Sequence, residues 1–409
     1  MMKRFLAFAT CFAVLCGFVA CSSGGDDENG GNPGGGNSGG EPSGPVAPSA
    51  PGDYANRVVS EDGLTLVATS QFVEVGDTNA VNFAVFMDGV NVTNAASIYV
   101  INNGQSSKLT EPSFKFTSSG DHKFWASYKT YNTKETLLTI SALNVRPALA
   151  ADAEPANTDF LRRIMLIQGT GVACTYCPYA IGAIKDFYAT SEDADRVVLA
   201  AVHTFTAGDP LYSEGARKLG AQAGISSYPT LKFNFDGNWS LGGAPQSEFS
   251  AFINEAADEL LQYQSETGIA VSTDYDAKTG VISVTAGVKC DAPGKYKVTA
   301  VLVQDNVYYP QTGTKLQEYF VHEAGVIAIS PASGGGFLLN CGDTTKQGTT
   351  YEYSCEFNAA DLVAESYTYT LDVLRDARVL VYVQANGKIV DNIVSCGMNE
   401  KVGFAYNAD

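Results

Sequence analysis

Two cysteines separated by two residues carry the clearest chemical pattern in this chain, Cys174-Thr175-Tyr176-Cys177. This spacing brings two sulfur atoms within reach of one disulfide, and a helix N-terminus lowers the pKa of a thiol placed against it. The first sulfur can then attack a disulfide as a thiolate, and the second can resolve the mixed disulfide that forms. Cys174 is therefore the predicted nucleophile, and Cys177 is the predicted resolving residue.

The residues around this motif indicate that it lies between a strand and a helix. Residues 164–167 and 197–202 are continuous apolar runs, which are typical of strands covered on both faces. Between these runs, apolar residues recur at helical spacing at Ile181, Ile184, Phe187 and Tyr188. The pattern predicts a β-α-β unit with Cys174 at the start of the helix. Pro178 fits the first helical turn, which has no intrahelical N–H bond to lose.

A second segment follows the predicted unit and reads Gly-Ile-Ser-Ser-Tyr-Pro-Thr at residues 224–230. It stands between two predicted helices and directly before an alternating strand at residues 231–235. On its own, Pro229 predicts a turn with a trans peptide bond at the start of a strand. Together with the motif from Cys174 to Cys177, this order of elements resembles the thioredoxin fold.

The resemblance to thioredoxins implies roles for several further residues. It implies a cis peptide bond before Pro229, a loop that lies against the dithiol, and pairing of the Tyr228 backbone with an extended substrate peptide. We also predict that Thr175 and Tyr176, between the cysteines, contact that peptide. The predicted site contains no cofactor and no metal.

Two positions depart from the thioredoxin pattern. Many thioredoxins have an acid six residues before the first cysteine, where it serves proton transfer to the buried thiol. This chain has Gln168 at that position, and an amide does not titrate. Ala173 stands where a tryptophan is usual. These differences favour a slow, specialised or vestigial redox site over rapid reductase turnover.

His203 follows the second apolar strand, at the edge where the dithiol is expected. Three interpretations remain open: a loop histidine bonded to water or backbone, a proton carrier for Cys177, or a third ligand for copper or zinc beside the two thiolates. No second Cys-x-x-Cys accompanies the first, so a closed structural zinc site is not expected. His322 has no nucleophile near it in the sequence and is assigned a structural role.

The charge and the N-terminal segment indicate an exported protein that does not bind nucleic acid. The chain has 26 Lys and Arg against 44 Asp and Glu, a net charge of −18, and no basic cluster for phosphates. Residues 1–20 have the basic start, short apolar run and small final residue of a signal peptide. Residues 18–21, Phe-Val-Ala-Cys, resemble a lipobox, which implies acylation of Cys21. The alternative is an ordinary secretory signal with a stray cysteine.

Residues 22–53 are rich in Gly, Pro and Ser and predict a flexible tether after the lipidated Cys21. Asp26, Asp27 and Glu28 resemble the acidic signal that sends Bacteroidetes-type lipoproteins to the cell surface. A polar spacer that merely stays solvated explains these acids equally well. The predicted location is the outer membrane, with a lipid anchor at Cys21 and a body that faces the cell surface or the periplasm.

Two-residue alternation of apolar side chains predicts β-sandwiches on both sides of the dithiol domain. The fold class is therefore multidomain. The predicted domains are an immunoglobulin-like β-sandwich at 54–150, a central α/β thioredoxin-like domain at 151–265 and a C-terminal β-sandwich at 266–409.

Four cysteines fall on the apolar faces of the predicted C-terminal sandwich. In an exported protein such cysteines are candidates for structural disulfides, with Cys341–Cys355 and Cys290–Cys396 as the favoured pairs. The alternative is that they remain reduced as small core residues, because free cysteine is among the most buried residue types.

Residues 155–409 also resemble a family of Bacteroidetes outer-membrane lipoproteins named for a twenty-eight-kilodalton outer-membrane protein. The resemblance rests on Thr170-Gly171 leading into the Cys-x-x-Cys-Pro motif, Val202-His203, the Pro229 loop through Asn234, and Tyr319 to His322. It implies a lipoprotein that faces the surface or the periplasm, and it specifies no activity.

Two functions of different classes remain. The first is thiol–disulfide exchange on exported proteins through Cys174 and Cys177. The second is a binding or adhesion lipoprotein in which the same two cysteines form a permanent structural disulfide. An enzyme acting on polysaccharides is less supported, because no spacing marks an acid/base pair. The sequence contains no glycine loop of the kind that binds nucleotide phosphates, so nothing in it indicates ATP use.

Overall fold

The computed structural model describes residues 50–407 except 77, 79, 360–361, 363–373, 375 and 388. The described residues all belong to one unit, Pro48–Asp409. The predicted signal peptide, Cys21 and most of the predicted tether lie outside them. No helix in the described ranges is both long enough and apolar enough to cross a membrane.

Two facing sheets form the N-terminal part. Their strands are β1 (Asn56–Val59), β2 (Leu64–Ala68), β3 (Phe72–Glu74), β4 (Val81–Met87), β5 (Val90–Asn91), β6 (Ser97–Asn102), β7 (Gln105–Lys108), β8 (Ser113–Phe114), β9 (Gly120–Tyr128), β10 (Tyr131–Asn132) and β11 (Leu138–Leu143). One sheet has the order β1-β2-β4-β5 with β8 beside β4, and the other has β3-β11-β9-β6-β7 with β10 beside β9. Leu66 and Val85 of the first sheet meet Phe124 and Ile140 of the second in one core. This part of the chain is therefore β-rich, as the alternation predicts.

Strands alternate with helices in the middle of the chain. The elements are β12 (Ile164–Thr170), α1 (Cys177–Thr190), β13 (Val197–His203), α2 (Glu214–Ala223), β14 (Thr230–Phe233), β15 (Ser240–Gly242) and α3 (Gln246–Leu260). β12 pairs in parallel with β13 and antiparallel with β14, and β15 pairs antiparallel with β14. Every residue of β12 and β13 is buried, as the continuous apolar runs predict. α2 begins where the Ser213 hydroxyl accepts the Ala216 N–H, and it ends at Gly224 in the left-handed conformation.

The C-terminal part consists of strands and irregular segments. Its strands are β16 (Thr267–Asp276), β17 (Val281–Cys290), β18 (Tyr296–Gln304), β19 (Val307–Tyr308), β20 (Val321–His322), β21 (Gly325–Ser330), β22 (Phe337–Leu338), β23 (Thr350–Asn358), β24 (Arg378–Ala385), β25 (Ile389–Gly397) and β26 (Lys401–Val402). Four of them form a sheet of order β23-β17-β16-β26, and β19 and β20 form a two-stranded hairpin.

One nine-stranded sheet crosses the predicted boundary between residues 265 and 266. Its order is β15-β14-β12-β13-β21-β18-β24-β25, with β22 beside β18. β13 and β21 run parallel where Ala201 meets Gly325, and the Ala201 N–H donates to the Ala324 carbonyl at 2.8 Å. Periodicity locates a change of element type along the chain, but it does not show which strands pair across that change.

Both faces of this sheet are covered. α1 and α3 pack on one face of β12, β13 and β14. α2 packs on the opposite face, in a core that also includes Val301 of β18 and Leu380 of β24. Ala300 and Val381, which alternate with those residues, point the other way into the core shared with the four-stranded sheet.

Cys290 and Cys396 are free thiols, so the predicted disulfide between them does not form. Cys290 lies opposite Thr267 at one end of β16, whereas the Cys396 sulfur lies 4.0 Å from the Thr273 hydroxyl, six positions along the same strand. Six residues of strand span about 20 Å. A disulfide requires Cα atoms within about 7 Å, so the sheet holds these residues too far apart.

Cys341 and Cys355 are also free, so the second predicted disulfide does not form either. Cys341 is not on a strand face as the alternation predicts. It lies half-buried in a short 3-10 turn, where its sulfur donates to the Ala55 carbonyl at 3.4 Å. Cys355 is buried on β23 opposite Val284. The alternative interpretation, reduced core cysteines, describes the three buried residues.

Candidate functional site

Cys174 and Cys177 form a disulfide at the start of α1. Their Cα atoms are 5.4 Å apart, which is ordinary for a disulfide. The Cys177 N–H donates to the Cys174 carbonyl at 3.3 Å, and α1 begins at Cys177. Pro178 lies in the first turn as predicted. Cys174 therefore precedes the N–H groups that open the helix, which is a position that stabilises a thiolate.

The disulfide is covered, although its neighbours are exposed. Cys174 is 2% exposed and Cys177 is 0% exposed. Thr175 is exposed between them. Tyr176 and Tyr179 are 65% and 45% exposed, and their ring centroids are 6.3 Å apart. The site thus presents aromatic side chains to solvent while both sulfur atoms lie beneath the surface.

The Tyr228–Pro229 peptide bond is cis, as the thioredoxin resemblance implies. The trans turn expected from the residues alone is wrong. Thr230 pairs with Gly169 near the end of β12, and Gly169 leaves no room for a Cβ because the Ile225 side chain of the same loop packs against it. The Tyr228 hydroxyl donates to the Thr204 carbonyl at 3.0 Å. These contacts hold the loop beside the end of the strand that leads to the disulfide.

Phe205 connects this loop to the disulfide. Its ring meets the Tyr228 ring edge to face at 5.5 Å, and its side chain fills the space in which a Cβ on Gly171 would lie. The Gly171 carbonyl in turn accepts the Cys174 N–H at 3.0 Å. The predicted pair of Tyr228 and Cys174 is therefore brought to one edge of the sheet, with Phe205 between them.

A segment from the C-terminal part of the chain lies over the disulfide loop. Residues 309–320, here called the strap, connect β19 to β20. The Thr312 N–H donates to the Val172 carbonyl at 2.8 Å. Gly313 approaches the Thr175 backbone so closely that no Cβ fits, and its φ of +88° favours glycine.

The buried side chain of Gln311 holds the strap against the disulfide loop. Its Nε2 donates to the Gly171 carbonyl at 3.2 Å and to the Cys174 carbonyl at 3.0 Å. Further along the strap, Tyr319 packs against Gly182 of α1, where a Cβ would meet the Tyr319 hydroxyl. The strap therefore contacts both the loop that carries Cys174 and the helix that follows it.

A small cavity lies between α1 and the ends of β12 and β13. Its volume is about 30 Å³, and its polar lining residues are Gln168, Thr170, His203, His322, Lys185 and Glu323. His203 is 1% exposed and His322 is 4% exposed, and their rings meet edge to face with centroids 5.1 Å apart. This cavity is called the polar chamber below. His322, predicted from the sequence to be structural, thus lies in the surroundings of His203.

Asp209 places a buried negative charge beside His203. Its Oδ1 lies 3.4 Å from His203 Nδ1, and its carboxylate accepts the N–H groups of Val172 and Leu211 at 2.8 and 2.9 Å. Burial opposes ionisation, but the interaction with His203 and these N–H groups outweigh burial and lower the pKa of Asp209. Asp209 is therefore ionised at neutral pH and places a negative charge beside the imidazole.

His322 is held in the neutral form. Burial and the neighbouring His203 lower the pKa of His322 to about 4. Its Nε2 lies 3.0 Å from the Tyr309 carbonyl, so this nitrogen carries the proton and donates it to the strap backbone. The two histidines of the polar chamber therefore have different environments, since Asp209 faces His203.

The metal-ligand interpretation of His203 gains no support from this arrangement. Among the residues that the structure describes, no group of three or more His, Cys, Asp or Glu side chains is arranged to hold a metal ion. The two sulfur atoms that would be ligands are joined to each other.

Three residues of this candidate site are not predicted from the sequence: Gln311, Gly313 and Asp209. Gln311 and Gly313 lie more than 130 positions after the motif they cover, within a polar stretch that reads as an ordinary loop. Asp209 follows His203 by six residues, and that spacing fits many loops. Proximity to the dithiol arises from tertiary structure in each case, so only the element order around the Cys-x-x-Cys motif gives an indirect signal.

Comparisons with known proteins identify no family. No protein-family model matches the chain, and no curated protein matches it. Among solved structures, HBP35 of Porphyromonas gingivalis is similar over 62% of this chain and 80% of its own, with a TM-score of 0.47 and 18% sequence identity.

Proposed function

We propose that this protein carries out thiol–disulfide exchange on exported proteins through Cys174 and Cys177. The observation that carries the proposal is the disulfide at the start of α1, on the sheet edge to which Phe205 and the cis-Pro229 loop also belong. The order β12-α1-β13-α2-β14-β15-α3 supports it, with β12 and β13 parallel and the helices on both faces. That arrangement resembles a thioredoxin-like domain.

The exchange is a transfer of two electrons between a client and the disulfide. A client thiolate attacks the Cys174 sulfur, the bond between Cys174 and Cys177 breaks, and Cys177 leaves as a thiolate that takes up a proton. A second thiolate of the client then attacks the client sulfur in the mixed disulfide, and Cys174 leaves as a thiolate. The client dithiol is oxidised and the protein disulfide is reduced. A client disulfide drives the same steps in reverse.

Access to the Cys174 sulfur requires movement of the strap. The attacking thiolate needs contact with the sulfur of Cys174, a residue that is 2% exposed, and Gln311 and Gly313 lie over the loop that carries it. We propose that Tyr228, Thr175 and Tyr176 contact the client peptide once the strap has moved, because Thr175 and Tyr176 are already exposed.

Equilibration with glutathione tests the proposed exchange. The chain carrying Cys21→Ser is incubated with a series of reduced and oxidised glutathione, quenched in acid, and analysed by mass spectrometry at Cys174 and Cys177. We expect a measurable equilibrium with a potential above about −300 mV. A Cys177→Ser variant should retain glutathione on Cys174, and a Cys355→Ser variant should behave like wild type. A disulfide that stays intact across the whole series in folded protein contradicts the proposal.

A binding or adhesion lipoprotein is the second candidate, and the burial of both sulfur atoms favours it. In that function the disulfide fixes the loop on which the strap lies, and no client reaches it. Replacement of both cysteines by Ala then reduces stability and leaves binding by the β-rich parts intact. A disulfide that does not exchange with glutathione, even in the Gln311→Ala variant, would support this candidate over the first.

We further propose that the protein is an outer-membrane lipoprotein anchored through Cys21. The support is the lipobox-like sequence at residues 18–21 and the Gly/Pro-rich composition of residues 22–53. Cell fractionation of wild type and a Cys21→Ser variant tests the anchor. We expect the variant to leave the membrane fraction, and equal membrane retention of both proteins would overturn the anchor.

A further inference from the structure

Two buried polar side-chain atoms of the polar chamber have no hydrogen-bond partner among the described residues. They are Gln168 Nε2 and Thr170 Oγ1. His203 Nδ1, by contrast, faces Asp209 Oδ1 at 3.4 Å. A buried polar atom without a partner costs about 1–3 kcal/mol, so two of them beside one cavity indicate a ligand that forms hydrogen bonds. The chamber volume of about 30 Å³ accommodates one water molecule.

The chamber lies on the α1 side of the sheet. Leu166 of β12 packs into the core with α1, whereas Ile167 packs into the core with α2. Strand alternation therefore directs Gln168 and Thr170 toward α1. Thr170 is paired with His203 in the parallel register, so His203 joins them at the same edge.

Cys177 lies next to the chamber along α1. Ile181 lines the chamber, and it follows Cys177 by four residues, so the two side chains share one face of the helix with Cβ atoms about 5–6 Å apart. Both side chains are buried. Cys177 thus lies on the helix face that borders the chamber, shielded from solvent.

We propose that the polar chamber binds one water molecule and that His203, supported by Asp209, exchanges a proton with Cys177 through it. This inference rests on the proposed thiol–disulfide exchange and names the group that serves it. His203 then replaces the acid that the thioredoxin pattern has at position 168, and Gln168 and Thr170 hold the water. His203 is a catalytic residue in this scheme, and Asp209 and His322 are positioning residues.

The proton balance follows from the exchange. When a client thiolate attacks Cys174, Cys177 leaves as a thiolate and receives a proton from the His203 imidazolium through the water. When the disulfide re-forms, the Cys177 thiol returns its proton by the same route before its thiolate attacks Cys174. Asp209 stabilises the imidazolium by its negative charge. The charged or titratable groups that face His203 in the chamber are Asp209, His322, Lys185 and Glu323.

Histidine titration by NMR tests this coupling without requiring exchange. The chain has three histidines, and His122 lies on β9 of the N-terminal part as an internal reference. Ring signals are followed against pH in the disulfide form and in a Cys174→Ala variant, which leaves Cys177 as a free thiol. His203→Gln, His322→Gln and His122→Gln variants assign the three signals.

We expect the His203 titration curve to differ between the disulfide form and the Cys174→Ala variant, because Cys177 then adds an ionisable thiol that titrates together with the imidazole. The His122 midpoint should not move. Identical His203 titrations in the two proteins would overturn the proposal. Failure of the disulfide to exchange with glutathione refutes the proposed function instead, and it leaves this titration result unaffected.

Reduction kinetics provide a second measurement. We expect His203→Gln to slow reduction of the disulfide by dithiothreitol at pH 7 by about 10- to 100-fold, because general acid–base catalysis contributes about 100-fold or more. The dependence of the reduction rate on pH should also become flatter. His122→Gln should leave both unchanged. A His203→Gln variant that folds and retains the wild-type rate and profile contradicts the role of His203.

Discussion

His322 makes folding stability dependent on pH at the level of a single residue. Burial and the adjacent His203 lower its pKa to about 4 in the folded protein. A histidine in the unfolded chain has a pKa of about 6.5. The unfolded chain therefore binds the proton first as pH falls. The stability contributed by neutral His322 is complete above about pH 6.5 and is lost toward pH 4.

We expect wild type to lose about 2 kcal/mol more free energy of unfolding than His322→Gln between pH 7 and pH 4.5. Urea unfolding monitored by tryptophan fluorescence at several pH values measures the difference. His122→Gln is the control and should follow wild type. Parallel pH curves for wild type and His322→Gln would show that His322 is not held neutral.

The buried free cysteines should be inert toward alkylation. Burial raises the pKa of the Cys290 thiol to about 12 and that of Cys355 to about 11. At pH 8 the thiolate fraction therefore falls on the order of 10²–10³-fold relative to an ordinary cysteine. We expect iodoacetamide to leave both residues unmodified in folded protein and to modify both after unfolding, as read by peptide mass spectrometry. Rapid labelling of either residue in the folded protein would contradict its burial.

At the scale of elements, the proposed exchange requires the strap to move away from the disulfide loop. Gln311→Ala removes the side-chain hydrogen bonds to the Gly171 and Cys174 carbonyls, and Gly313→Val places a side chain against the Thr175 backbone. We expect each variant to accelerate reduction of the disulfide by dithiothreitol by about 10-fold or more, since about 1–2 kcal/mol of strap contacts is lost.

A matched control separates strap opening from general strain. Gly104 has a φ of +76°, similar to that of Gly313, but no atom lies within 4 Å of the Cβ position. Gly104→Val therefore strains the backbone in the N-terminal part without touching the strap. It should lower the melting temperature and leave the reduction rate unchanged. Equal rates for all three variants and wild type would show that the strap does not limit access.

Local elements were predictable because their signals lie within a few neighbouring residues. The buried runs of β12 and β13 and the place of Pro178 each depend on such local patterns. The contacts of the strap with the disulfide loop, of Asp209 with Val172 and of His322 with His203 all arise from tertiary structure. No pattern among neighbouring residues signals these contacts, so the sequence alone does not predict that the strap lies over the loop of Cys174.

At the scale of the whole molecule, the parts of the chain share cores and interfaces. Phe72 of the N-terminal part packs against Phe337 and Tyr353 of the C-terminal part, with ring centroids 5.5 and 5.8 Å apart. The Asn144 side chain donates to the Glu356 carboxylate at 3.0 Å. The nine-stranded sheet likewise joins the dithiol-bearing strands to β21 and β18. The chain therefore places its candidate redox site within a larger β-rich body.

This shared sheet predicts how fragments behave. In a fragment of residues 151–265, β13 becomes an unpaired edge, and the α2 face loses Val301 and Leu380 from its core. We expect that fragment to lack a cooperative thermal transition by circular dichroism, whereas residues 151–409 should unfold cooperatively. Residues 54–150 are the control, because their two sheets enclose a core of their own and should fold alone. A cooperative transition in 151–265 would show that the dithiol domain is independent, and that the strap and β21 are additions to a self-sufficient fold.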